Sequence, residues 1–562
     1  MNNWWENAVI YQIYPRSFQD SNQDGIGDLR GIINRLDYLA TLGIDAIWIS
    51  PIYPSPMVDN GYDISDYKDI DPIFGSLADF KELLAKAHKL NIKIIMDLVL
   101  NHCSTKHEWF QDILKNPDSP YKDYFIIKEA KNGGAPNNWR SNFGGSAWER
   151  INDSNKFYLH VFSKEQADLN WENPNLRREL YEMIHWWINL GVDGFRIDAI
   201  NFIKKNQDFP NLSPDGPDGL ADPQSNWLNA EGIGDFLQEL KVEGFENGKI
   251  FTVAEANNVR PDQIEDFIGE NGYFTCIFDF SYTDMDIKAG DWFRPVRISP
   301  MKLKNNIFSS QENINGHGLA APYLENHDQN RSPNKFLETK DINFQSKSSL
   351  ALMYFFLQGV PFIYQGQELG MTNYPWLSIE QFNDVSTYDQ FARALSFGLD
   401  EDEAFKRVSK RSRDNARIPM PWSKALNAGF SEVEPWLPVH PDYKKINVES
   451  EIKQTNSLLN FYRKMIEIRK NSAGFFTKAK FKGIKTHDEN LIAYKRQDED
   501  KEYLVLVNLQ DKTSSFDLLN QEEYIEILNN YNFYSNEATE HKVPDLKNIK
   551  PFESILLKKK EI

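Results

Sequence analysis

Cysteine is almost absent from this 562-residue chain, with only Cys103 and Cys276 present. Two thiols exclude a disulfide framework and a thiolate zinc cluster, and they suit a reducing compartment. Positive charge is also in deficit. Lys and Arg number 63 against 82 Asp and Glu, a formal net charge of −19, which repels phosphate backbones and anionic lipid at long range. That balance excludes nucleic acid as an expected partner and favours a neutral small molecule. No apolar run reaches transmembrane length, and the N-terminus MNNWWENAVIYQIYP lacks a basic segment followed by an apolar core and a cleavage site. The expectation is a cytoplasmic protein without membrane contact, a monomer or weak homo-oligomer. Internal repeats and low-complexity linkers are missing too.

What is plentiful is apolar and aromatic material: 41% hydrophobic residues, including 14 Trp and 24 Tyr. Such rings pack cores, and their flat faces also stack on sugars. Eight extended runs follow one another: AVIYQIYP, AIWIS, IKIIMDLVL, DGFRIDAI, KIFTVAEA, FTCIFDF, GLAAPYLE and VPFIYQGQE. Helical patterns alternate with them, with Leu77, Phe80, Leu84 and Ala87 on one face of the first and Leu176, Leu180, Met183, Ile184 and Trp187 on another. Eight strand-then-helix units predict an α/β chain, a closed (β/α)8 TIM barrel. The stretch from His102 to Trp171 is too long for an ordinary loop and predicts an inserted subdomain over the barrel mouth. Past residue 480, short alternating runs such as LIAYKRQ, YLVLVNLQ and SILLKKK predict a C-terminal antiparallel β-domain. The expected division is therefore 1–101 with 172–479 for the barrel, 102–171 for the insert and 480–562 for the β-domain.

Four acidic residues, Asp97, Asp198, Glu255 and Asp328, stand at or just beyond the ends of these runs, which a parallel barrel gathers on one face. A single Asp there commonly caps a helix; four together point to a site. Arg196 lies two residues before Asp198, on the same strand face, and a guanidinium there favours an ionised carboxylate, as a nucleophile requires. Glu255 has no basic neighbour in sequence, so burial would leave it protonated, as a general acid requires. One ionised and one protonated carboxylate suit cleavage of a glycosidic bond through an oxocarbenium-like transition state, with Asp328 stabilising the positive charge. His102 and His327 are placed to donate to sugar hydroxyls. Near the N-terminus, Asp20, Asn22, Asp24 and Asp28 alternate through DSNQDGIGD, and the Ile26 carbonyl completes an oxygen set for a hard cation. An EF-hand is rejected, because its twelfth position holds Gly31 and not a bidentate Glu.

The segments DLVLNH (97–102), GFRIDAIN (194–201), VAEA (253–256) and LENHDQ (324–329) resemble the four signature regions of the α-amylase family, glycoside hydrolase family 13. QADLNW (166–171) resembles the QPDLN signature of its oligo-1,6-glucosidase subgroup, with Ala167 in place of proline, and GIGDLRGI, DNGYDISDY and RDNARIPMPW extend the likeness. The resemblance implies a retaining double displacement with Asp198 as nucleophile, Glu255 as acid/base and Asp328 as transition-state stabiliser. It further implies that His102, Arg196 and His327 line the terminal-glucose subsite, that Tyr62 stacks on the ring, and that Asp59 and Arg417 close its far end, making the enzyme exo-acting; Phe143 and Phe162 are candidate walls. Structural Ca²⁺ in the Asp20–Asp28 loop is implied, and no organic cofactor. In the subgroup, valine after the nucleophile accompanies α-1,6 activity, and threonine or alanine tends to accompany α-1,4 activity. Ala199 therefore leans towards α-1,4 substrates such as maltose, with isomaltose and sucrose next, and transglucosylation is an expected side reaction. QADLNW pulls the other way, and ENHDQNRSPNKF departs from the usual NNHDQPR. Rival readings are a sucrose isomerase or glucosyltransferase on the same scaffold, and a non-catalytic homologue, which would lack the carboxylates that this chain keeps.

Overall fold

Short runs rich in β-branched and aromatic residues form eight parallel strands: β1 (Ile10–Ile13), β2 (Ala46–Ile49), β3 (Lys93–Val99), β4 (Gly194–Asp198), β5 (Phe251–Glu255), β6 (Cys276–Phe278), β7 (Leu319–Ala320) and β8 (Phe362–Tyr364). The structure, a computed structural model, describes residues 3–116, 118–246, 248–288, 290–534 and 545–560. The sheet runs β7-β6-β5-β4-β3-β2-β1-β8, with Ile10 opposite both Ala46 and Phe362. Bonds from Val360 N to Ala320 O and from Phe362 N to Pro322 O, both 2.9 Å, join β8 to the chain leaving β7. The sheet thus closes into a (β/α)8 barrel. β7 is shorter than its apolar run because Pro322 has no N–H to give, so Asp328 lies in the loop beyond it and not at a strand end.

The main covering helices are α1 (Leu77–Lys89), α2 (Pro174–Leu190), α3 (Pro300–Ile314), α4 (Phe344–Phe355), α5 (Val385–Ser396), α6 (Glu401–Arg411) and α7 (Leu458–Asn471). Ser76 and Asp79 cap α1 reciprocally, and Phe80, Leu83, Leu84 and Ala87 are its buried stripe; Leu77, in the first turn, stays half-buried. All five apolar residues expected on α2 are buried. Each such Leu, Ile or Met contributes roughly 1.5–3 kcal/mol of transfer free energy.

Strand alternation sorts the barrel into two layers. Ile10, Ala46, Trp48, Ile95, Phe251, Val253, Cys276, Phe278 and Phe362 fill the interior, while Tyr11, Ile47, Ile94, Phe195 and Ile277 belong to the outer core shared with the helices. Gly194 is required here, since a Cβ would sit 2.7 Å from Phe251 O and 3.0 Å from its ring. Towards the C-terminal ends the same inward columns turn polar, as Asp97, Arg196, Asp198 and Glu255.

Between β3 and β4, His102–Ser104 pairs antiparallel with Gln166–Asp168, and Ile127–Glu129, Trp148–Arg150 and Lys156–Leu159 form a three-stranded sheet. Its aromatic core, Trp139, Trp148, Phe157, Phe209 and Trp227, also takes in Ala199. A second cover, not anticipated from sequence, is the two-stranded ribbon Ile287–Lys288 with Asp291–Pro295, packed on α5 and α6 around Phe293, Ala394, Ala404 and Val408. The last strands, β9 (Lys480–Gly483), β10 (Leu491–Gln497), β11 (Glu502–Asn508), β12 (Tyr524–Asn529) and β13 (Ser554–Lys559), form an antiparallel sheet in the order β9-β10-β11-β13-β12. Residues 535–544 and 561–562 of that expected unit lie outside the described residues. Among the described residues, no helix is long and apolar enough to cross a membrane.

Candidate active site

Asp198 and Glu255 end β4 and β5, so the ladder itself sets them side by side at the barrel mouth. Beneath them the Arg196 guanidinium, 1% exposed, faces three carboxylates: Nη1 lies 2.8 Å from Asp97 and 2.7 Å from Asp198, and Nη2 lies 2.6 Å from Glu255. Trp48 Nε1 and Tyr62 OH donate to the other oxygen of Asp97 at 3.1 and 2.9 Å. One cation cannot offset three buried anions. Burial pushes Asp198 up to about 7, with Arg196 opposing and Asp97 reinforcing the rise; it pushes Asp97 to about 6 against the pull of Arg196. Glu255 is likewise pushed to about 7 by burial, against Arg196 and with help from Asp198 and Asp328. One expectation is corrected here: Arg196 does not by itself hold Asp198 low. Burial raises Glu255 as expected, even with Arg196 brought beside it from the neighbouring strand.

Asp328 is the opposite case. Burial alone would raise it, but His327 Nε2 at 3.0 Å, Arg413 Nη1 at 3.2 Å and Arg417 Nη2 at 3.0 Å hold it well below the usual carboxylate range. At the far end, Asp59 takes Arg413 Nη2 at 2.9 Å and Gln166 Nε2 at 3.1 Å. The cation on Asp59 is therefore Arg413, not Arg417, whose Nε is turned to His327 O at 2.9 Å. Asp384, which caps α5, fixes Arg413 from behind through Nε at 2.9 Å and Nη2 at 2.6 Å. Arg413 also sits 5.2 Å from the Phe143 ring centroid.

These groups enclose a cavity of about 250 Å³ lined by Asp59, Tyr62, His102, Phe143, Phe162, Asp198, Glu255 and Asp328. His102 is uncharged: burial and the Lys205 charge lower it to about 3. Phe143 and Phe162 stand 5.5 Å apart as one wall. Arg196, His327 and Arg417, expected on the lining, form the layer beneath it, each at most 1% exposed; His327 backs Tyr62 as a parallel ring 5.2 Å away. Sequence reasoning missed Arg413, Arg411, Asn257, Phe280 and Trp292 on the lining. Arg413 opens the same RDNAR run as Arg417, and nothing local in that run tells which of the two reaches Asp59.

The Asp20–Asp28 loop is the candidate cation site. Its donors are all oxygen, which suits Ca²⁺. The carboxylates, however, are turned on the loop itself: Asp20 accepts from Asn22 N, Gln23 N and Gly25 N, and Asp28 from Ser21 N and Gly31 N. Among the described residues, no three Asp, Glu, His or Cys groups lie together as a metal set.

Two carboxylates at adjacent strand ends, a third held ionised, and a cavity of sugar-ring size at the mouth of a (β/α)8 barrel define a glycoside-hydrolase site. The chain belongs to the α-amylase family: residues 12–478 match the profile described as Alpha amylase, catalytic domain. It is 43% identical over 519 residues to the oligo-1,6-glucosidase of Parageobacillus thermoglucosidasius, covering 92% of each chain. Among solved structures, the isomaltulose synthase of Protaminobacter rubrum superposes with a TM-score of 0.92 at 35% identity, covering 100% of both chains. The trehalose-6-phosphate hydrolase of Bacillus licheniformis gives 0.89 at 37%, covering 99% of this chain and 100% of that one. The enzyme is a glycoside hydrolase, and its relatives support an α-glucosidase.

Proposed function

We propose that the chain is a retaining, exo-acting α-glucosidase that releases α-D-glucose from the non-reducing ends of short maltose- and isomaltose-type glucosides. The observation that carries this reading is the Asp59–Arg413 ion pair. Lining the same cavity as the reacting carboxylates, it leaves room for one chain end and supplies directional, charge-assisted bonds to terminal hydroxyls. Asp198 attacks C1 while Glu255 gives its proton to the departing glycosidic oxygen. The C1–O bond breaks and a glucosyl ester forms on Asp198. Glu255, now ionised, takes a proton from water, whose oxygen attacks C1 and releases Asp198. Ionised Asp328 offsets the positive charge at each transition state. Retention is supported by the two carboxylates sharing the two ends of one guanidinium, a bridge that suits a separation of about 5–5.5 Å better than the wider gap of inverting sites.

Replacing Asp198 by Asn is expected to abolish glucose release from p-nitrophenyl α-glucoside, and NMR during wild-type turnover is expected to show the α-anomer first. β-Glucose as first product overturns retention. Ala199 supports maltose as the better disaccharide; sucrose yielding mainly isomaltulose would instead favour the synthase chemistry of its structural relative. We also propose Ca²⁺ in the Asp20–Asp28 loop, on the strength of its alternating oxygen donors and against the inward set of Asp20 and Asp28, which would have to turn from the loop's own N–H groups to ligate it; EGTA is expected to lower the unfolding temperature, and added Ca²⁺ to restore it.

A further inference from the structure

Asp328 has no strand to place it. β7 ends at Ala320, and the chain from Ala321 to Arg331 is neither helix nor strand. A side chain closes this loop instead. Glu325, 2% exposed, accepts from Ser332 N at 3.0 Å and from Ser332 Oγ at 2.5 Å through Oε1, and from Arg331 Nη1 at 3.0 Å through Oε2. One carboxylate therefore joins the two ends of the turn in which Asp328 stands. Within the turn, Asp328 N donates to Asn326 Oδ1 at 2.9 Å.

Arg331 carries the constraint further. Its guanidinium, fully buried, also donates from Nη1 to Gln365 O at 2.9 Å, just past β8, and from Nη2 to Ala416 O at 3.1 Å. Ala416 belongs to the helical turn Asp414–Arg417, and Tyr364 OH gives its carbonyl a second bond at 2.9 Å. On either side of it stand Arg413 and Arg417, the two arginines that meet the Asp328 carboxylate. The acid and its cations thus hang on one guanidinium. Among the described residues, Glu325 is the one carboxylate paired with Arg331, and removing one partner of such a pair leaves a buried charge uncompensated. Neither residue lines the cavity, so both act through others.

We propose that Glu325 is a positioning residue for glycoside cleavage: with Arg331 it clasps the loop so that Asp328 meets Arg413 and Arg417 where positive charge develops. The proposal rests on the reading of Asp328 as transition-state stabiliser. An interaction made only in the transition state shows in kcat and not in KM. Glu325→Gln keeps the length and an acceptor but removes the charge. Its test measures kcat and KM on p-nitrophenyl α-glucoside in the wild type, Glu325→Gln, Asp328→Asn and the double variant, with folding followed by circular dichroism. In Glu325→Gln, kcat is expected to fall about tenfold with KM held within about twofold. In the Asp328→Asn background the same change is expected to lower kcat less than about twofold, because a group that acts through another loses its effect with it. Should Glu325→Gln fail to fold, Ser332→Ala, which opens one side of the clasp and leaves the ion pair, takes its place in the cycle with an expected loss of about threefold. An unmoved kcat, an equal loss in both backgrounds, or a raised KM alone overturns the clasp. An Asp328→Asn variant with the wild-type kcat overturns the reading of Asp328 beneath it.

Discussion

Two arginines divide the carboxylates of this site, and the division sets the pH dependence. Arg196 serves Asp97, Asp198 and Glu255, while Arg413 serves Asp59, Asp328 and Asp384. Glu255 must carry a proton to act as acid, so its active form is present below about 7 and is lost as pH rises; Asp198 must be ionised, so its active form is lost as pH falls below about 7. Because the two interact, the values belong to the pair, and kcat/KM is expected to follow a bell with both limbs near neutrality. Glu255→Gln should lower kcat/KM on maltose by about 10²–10⁴, but far less on p-nitrophenyl α-glucoside, whose leaving group needs little proton assistance. On that substrate the variant should also lose the alkaline limb. An unchanged alkaline limb would show that another group supplies the proton. Arg413→Lys keeps the charge but loses the planar fork that meets three carboxylates at once. Its expected signature is a KM for maltose raised about tenfold, about 1.4 kcal/mol of binding, while the protein's unfolding midpoint holds.

At the scale of elements, the barrel was legible because its strands are apolar on both faces, and the insert because roughly 70 residues without a helix or strand period need a fold of their own. Asp198 and Glu255 were legible because each ends such a run. The ribbon of Ile287–Lys288 with Asp291–Pro295 and helices α5 and α6 were not, because the buried apolar set that joins them is small, Phe293, Ala394, Ala404 and Val408, and α6 (EDEAFKRVSKR) is dominated by charge. They nonetheless carry Asp384, Trp292 and Arg411 to the mouth, a placement that depends on tertiary packing alone. The closure of the sheet was expected, but not the residue it hangs on, Gly359, whose φ is +115° and where a Cβ would meet Ala320 O at 2.1 Å. Gly359→Ala therefore combines left-handed strain with displacement of the β7–β8 junction. It is expected to cost about 3 kcal/mol or more, read as a lowered urea midpoint with an unchanged m-value.

At the scale of the whole molecule, the question is what holds the C-terminal sheet to the barrel. Its apolar face joins the main core through Tyr494, Val505, Val507 and Leu556, alongside Leu352 and Phe356 of the barrel, and burial of that kind is strong but not directional. Direction comes from the buried guanidinium of Arg496 on β10, which donates to Phe356 O at 2.6 Å and to Ala479 O; within the barrel, Arg469 on α7 donates to Phe355 O at 2.8 Å and to Gly359 O. Tyr494 OH adds a bond to Met353 O at 2.9 Å. Of the carbonyls they meet, those of Met353, Phe355 and Phe356 are orphan acceptors at the C-terminal end of α4, where partial negative charge gathers and water is shut out. Burial lowers both arginines to about 9, which still leaves them charged at neutral pH. Arg496→Met preserves length and apolar stem but strands two buried carbonyls, at about 1–3 kcal/mol each. The variant is expected to unfold about 2–6 kcal/mol more easily in urea. Because sheet and barrel share one core, far-UV circular dichroism and tryptophan fluorescence should still report a single coincident transition. Separation of the two signals in the wild type would show that the sheet is held by its own core and not by the barrel, and the arginine would then be no lock at all.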